Sequence, residues 1–287
     1  MRSRGWRLSV FFFVLVVSSG IVTLLAALIG VNLALLAPVY MFTPLIAAFA
    51  TVYLFDLSVS TLGLTPRLNR WFLVAWGLPV LIAAGSIGVS LLVPEVSFNH
   101  SPPGLGMPET VGGIHVSPLV SVSVVGILAG PTLNAVYAVG EEVGWRGFLL
   151  YELRGLGFWR ASAGIGIVWG LWHTPLILQG YNYPGYPIIG IGMMVVFTAL
   201  QTPLLVFVRL KANSVFASAV FHGTLNGLGT LTVIAVTGGN NLTASMVGMS
   251  GFIVLFGLNI ALWQLMRQRD GWNIRMPRVA ERGIYRE

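Results

Sequence analysis

The sequence predicts an all-α, multi-pass membrane protein: a bundle of eight transmembrane helices with both termini in the cytoplasm. Three observations carry that expectation. Of 287 residues, 56 % are hydrophobic and 9 % charged, with a mean hydropathy of +0.84, whereas a soluble domain carries about 25 % charged residues. The apolar residues fall in runs long enough to cross a bilayer. All 16 Lys and Arg residues lie in alternate connections between these runs, so one orientation places every one of them on the cytoplasmic side.

Helix 1 is expected at about 8–30, behind Arg2, Arg4 and Arg7. It resembles a signal peptide, but the run exceeds the roughly 7–15 residues of a signal core and a second apolar run follows at once. Helix 2 covers about 35–55, and the polar connection 56–70 carries Arg67 and Arg70. Helix 3, about 71–93, stops near Pro94, and a Pro- and Gly-rich outer loop spans 94–117. Helix 4 starts near Pro118 and runs toward Glu141, after which 141–160, punctuated by Gly and Arg, finishes the helix and turns at the membrane surface. Helices 5 to 8 follow at about 161–178, 188–208, 213–236 and 246–266. Residues 1–117 thus form an N-terminal set of three helices with its outer loop, 118–266 a five-helix core, and 267–287 a basic tail. That tail, with Arg267, Arg269, Arg275, Arg278, Arg282 and Arg286, is suited to an anionic inner leaflet.

The formal charge of +7 comes from connections between apolar runs and forms no stripe through a polar domain, which argues against nucleic acid as a partner. The chain has no cysteine, which excludes disulfides, thiolate metal sites and a cysteine nucleophile. No internal repeat supports a transporter of inverted halves.

Against this apolar background three polar groups need a reason, because burying them unpaired costs several kcal/mol. Glu142 and Arg146, four residues apart, share a helix face and can pair, while Glu141 points about 100° away and can face a cavity. Adjacent carboxylates disfavour each other's ionisation, a property useful to a general acid or base near neutrality. His173 stands two residues before Pro175, which frees a backbone carbonyl and permits a bend. His222 and Asn226, also four apart, face the same way. Each alone has a plain structural reading as an ion pair, a cap for a broken turn, or an interhelical cross-link. Together they fit hydrolysis. Glu141 would take a proton from water shared with His173, and His222 with Asn226 would donate hydrogen bonds to an oxyanion. Glu141, His173 and His222 are also zinc-ligand types, although the HExxH spacing is absent. In depth the groups match only roughly, since Glu141 falls at the inner end of helix 4 and His173 in the outer half of helix 5.

At these residues the chain resembles the CPBP family of intramembrane proteases, the CAAX-protease-like or abortive-infection family. Its Glu pair followed by Arg matches Glu141, Glu142 and Arg146. Its aromatic residue four positions before a histidine matches Trp169 and His173, and its histidine four positions before an asparagine matches His222 and Asn226. The resemblance covers about 120–265. It implies an eight-helix bundle with an intramembrane polar cavity open to the cytosol, and an endopeptidase acting on a membrane-associated protein or peptide, with prenylated CAAX-type proteins among the candidates. It also implies the water-activating role of Glu141 and His173, the oxyanion role of His222 and Asn226, and a later start to helix 5. The family is commonly grouped with metalloproteases, yet a metal-free, glutamate-dependent mechanism is favoured here. The alternative is a catalytically silent scaffold or bacteriocin-immunity protein of the same fold.

Overall fold

The structure, a computed structural model, describes residues 3–100, 102, 110, 111 and 113–268. It is nearly all-α. Helix α1 spans Arg4–Leu28, α2 Leu33–Leu54, α3 Trp71–Ser90 and α4 Pro118–Leu156. After them come α5 Phe158–Trp172, the short α6 Thr174–Ile177, α7 Pro187–Ala212, α8 Val215–Ile234 and α9 Met249–Gln268. The expectation for the basic tail falls, beyond Gln268, outside the described residues.

Among the described residues six helices, α1 to α4, α7 and α9, are long and apolar enough to cross a membrane. The chain is a membrane protein. Its outward faces agree, since Phe13, Val16, Leu28, Leu81 and Ile253 are all exposed, as side chains against lipid must be. The two other expected spans fall short for identifiable reasons. Helix α5 has only 15 residues before the chain breaks at His173, and α8 has 20 residues but carries His222 and Asn226.

One hydrophobic core runs through the bundle, from Phe11 on α1 to Leu262 on α9. Close helix approach depends on missing side chains at a few places. A Cβ on Gly140 would lie 2.6 Å from the Met41 carbonyl oxygen, and one on Gly170 would lie 2.5 Å from the Val195 Cα. These contacts hold α4 against α2 and α5 against α7.

Helix α4 finishes within 141–160 as expected, but it runs on to Leu156 through two wider π-type turns, Gly130–Asn134 and Val143–Leu149, so Glu141 does not stand at its inner end. The fall in hydropathy at 141–146 reflects charges satisfied inside the fold, so it does not mark a helix end. Glu141 therefore sits eleven residues, or about 16 Å, before Glu152 at the helix terminus. Helix α5 starts at Phe158, slightly earlier than expected. The apparent depth mismatch disappears because Glu141 lies deeper, and a late start of α5 is not needed.

The bundle has two distinct ends. At one, Arg7 pairs with Glu152 at 2.8 Å, the Val215 N–H donates to the Gly63 carbonyl at 3.0 Å, and the Asn69 amide donates to the Ala212 carbonyl at 2.9 Å. At the other, the Leu33 N–H donates to the Gln179 side chain at 2.9 Å and the Tyr183 hydroxyl to the Val247 carbonyl at 2.7 Å. There too, Ser97–Phe98 and Val236–Thr237 form a short antiparallel pair.

Candidate active site

Glu141 and Glu142 follow one another on α4 and have opposite environments. Glu141 is 2 % exposed. Its Oε2 accepts hydrogen bonds from the indole N–H groups of Trp169, at 2.5 Å, and Trp145, at 3.4 Å, so Oε1 is left without a protein donor. Glu142 is fully buried, and its Oε1 accepts from Arg146 Nη1 at 2.8 Å and from His222 Nδ1 at 2.9 Å.

Arg146, also fully buried, sends Nη2 to the Thr202 hydroxyl at 3.0 Å and lies 4.2 Å from the centre of the Trp169 ring. Its own carbonyl, loosened by the π-type turn, accepts from Arg209 Nε at 3.3 Å. Such additional hydrogen bonds offset part of the cost of burying the ion pair, although Glu142 Oε2 and Arg146 Nε find no partner among the described residues.

His173 occupies the break between α5 and α6. Pro175 has no N–H for the Leu171 carbonyl, which accepts instead from a backbone N–H at the helix end and from the Thr174 hydroxyl at 2.6 Å. The Trp172 carbonyl accepts from the Tyr40 hydroxyl at 2.9 Å. The Trp169 carbonyl accepts from His173 Nδ1 at 2.8 Å. Because a carbonyl can only accept, Nδ1 must carry a proton, and the neutral ring offers its Nε2 lone pair to the cavity. The plain reading of this histidine as a cap for a broken turn and the functional one are thus compatible.

Of the six candidates, Glu141, His173, His222 and Asn226 line a single cavity of about 590 Å³. Glu142 and Arg146 do not reach it and stand behind, connected through His222 and Trp169. Trp169 joins the set. Its ring centre is 5.1 Å from that of His222 and 5.9 Å from that of His173, while its N–H holds Glu141. Asn226 is exposed on α8, one turn beyond the buried His222.

Several participants give little or no sign in the sequence. Trp145 stands four residues after Glu141, the same spacing that identifies the Glu142–Arg146 pair, and that spacing is the signal by which it could be found. Thr202, Arg209 and Gln201 give none. Gln201 is 2 % exposed, lines the cavity, and has a buried Oε1 without a hydrogen-bond partner.

The zinc expectation can be tested on the donors themselves. Among the described residues no three His, Cys, Asp or Glu side chains are grouped so as to hold a metal. Glu141 Oε2 already serves two indole donors, and His222 directs Nδ1 at Glu142. Glu141, His173 and His222 therefore share a cavity without converging as a ligand set.

The exposed lining residues Asn32, Gln179, Tyr181 and Val233 lie at the bundle end opposite Arg7 and Glu152, while the exposed Asn226 lies about midway along α8.

A carboxylate, two histidines and an amide thus surround one internal cavity of a helical membrane protein. Residues 117–228 match the family described as type II CAAX prenyl endopeptidase Rce1-like. The matched stretch includes every candidate residue from Glu141 to Asn226, so the likeness to the CAAX-protease-like family falls on the site itself. No individual curated protein matches the chain.

Proposed function

We propose that the protein is an intramembrane endopeptidase that hydrolyses a peptide bond of a membrane-associated protein or peptide, and that its chain crosses the membrane eight times. The observation that carries this reading is Glu141, pinned through Oε2 by two indole N–H groups and lining the cavity that it shares with His173, His222 and Asn226.

In this reading Glu141 Oε1 takes a proton from water as the water oxygen attacks the scissile carbonyl, then returns it to the leaving amine. His173 Nε2 accepts the second hydrogen of that water and orients it. With Nδ1–H committed to Glu142, His222 donates from Nε2 only as the imidazolium. Glu142 supplies the opposing charge for that form, so His222 and the Asn226 amide together face the oxyanion. Arg146 and Glu142 act by positioning.

The family's description names CAAX prenyl endopeptidases, which makes a prenylated CAAX-type peptide the first substrate to assay on family grounds. Purified protein in open bilayer discs, accessible from both faces, should cleave a fluorogenic membrane-anchored peptide. Glu141→Gln should abolish cleavage, whereas a zinc chelator should leave it intact. Full activity in Glu141→Gln would overturn the proposal.

A further inference from the structure

We infer that the cavity opens on the extracytoplasmic face of the membrane, and that its substrate is a polypeptide segment presented from that side. Two independent observations meet here. The first is geometric. The floor of the cavity is made by buried Glu141, His222 and Gln201, whereas its exposed rim, with Asn32, Gln179 and Val233, belongs to the end defined by the Leu33–Gln179 and Tyr183–Val247 hydrogen bonds. No lining residue comes from the connections around Arg7, Gly63 or Ala212.

The second is electrostatic. No Lys or Arg occurs in 8–66, 71–145, 161–208 or 212–266. Every connection at the rim end is therefore free of basic residues, while Arg4, Arg7, Arg67, Arg70, Arg154 and Lys211 gather at the other. Basic connections stay in the cytoplasm, so the basic end faces in and the rim faces out. A rim of amides and tyrosine, without fixed charge, suits the backbone of an extended, uncharged segment.

The facing of the rim stands without any assumption about chemistry. Only the naming of a peptide substrate rests on the protease reading. The chain's lack of cysteine makes the facing directly measurable. Asn240→Cys lies in the exposed loop at the rim end, and Ser60→Cys lies exposed at the basic end. Each variant would be expressed in cells and treated with a membrane-impermeant maleimide before and after lysis. Label should enter Asn240→Cys in intact cells and Ser60→Cys only after lysis. The reverse pattern overturns the inference.

A second arm uses sealed right-side-out vesicles with a fluorogenic, membrane-anchored peptide either outside or enclosed. Cleavage of the outside peptide, lost in Glu141→Gln, is expected. Cleavage of the enclosed peptide alone overturns the inference. No cleavage on either side, with labelling as expected, refutes the substrate and the protease reading together, while the facing of the rim holds.

Discussion

The two sides of helix α4 at the Glu pair make the most instructive comparison in the molecule. On one side Glu141 has two neutral indole donors and lines the cavity. On the other, one residue later, Glu142 has a guanidinium, an imidazole and no opening. Identical side chains are thus assigned to different tasks by what surrounds them. Glu142 is taken up by the partners that cross-link α4 to α8, and Glu141 is left to line the cavity.

The comparison can be broken most decisively at Glu141. Glu141→Gln keeps an acceptor for both indoles but cannot take a proton, so cleavage should fall by about 10³–10⁴-fold with the melting temperature essentially unchanged. Initial rates on a membrane peptide, together with thermal unfolding in detergent, measure both. On the other side Glu142→Gln or Arg146→Met should mainly cost stability, about 3–5 kcal/mol, because each leaves a buried partner uncompensated. The double variant should lose less than the sum of the two. Additive losses would mean that the pair is not a unit.

Trp169→Phe sharpens the contrast, because it removes one N–H from Glu141 and keeps a ring over Arg146. A hydrogen bond to a charged group is worth about 1.5–3 kcal/mol, so kcat/KM should drop about ten- to a hundred-fold, with a changed pH profile. The smallest effect belongs to Thr174→Val, which removes the hydroxyl donor of the Leu171 carbonyl and leaves it only a backbone N–H at the break beside His173. A loss of about 1 kcal/mol in unfolding free energy is expected, with a modest loss of rate if the break orients His173.

Much of this is legible in the sequence for simple reasons. Membrane-length apolar runs, charges in alternate connections and three polar pairs at helical spacing depend only on local order, and local order is what a sequence displays. The Glu142–Arg146 pair follows from its i, i+4 spacing. What cannot be read is long-range. Thr202 reaches Arg146 across 56 residues and Arg209 across 63, and nothing beside Thr202 or Arg209 marks them. Helix α4 looks shorter in the sequence than it is because charge in an apolar run ordinarily signals a helix end, and here it signals an interior partner. The side to which the cavity opens is an expectation that comes with the family pattern, and no local spacing in this chain encodes it.

One feature at the basic end bears on how the protein is made. Arg7 on α1 meets the fully buried side chain of Glu152 at the far end of α4 through two hydrogen bonds, of 2.8 and 3.0 Å. The cation leaves the ribosome 145 residues before its partner. During synthesis the first helix must therefore wait beside the insertion machinery, solvated by water or lipid headgroups, until the fourth arrives to close the seam. A chain deprived of its first helix would complete synthesis with a carboxylate stranded in the protein interior. Such a product is the kind that membrane quality control removes.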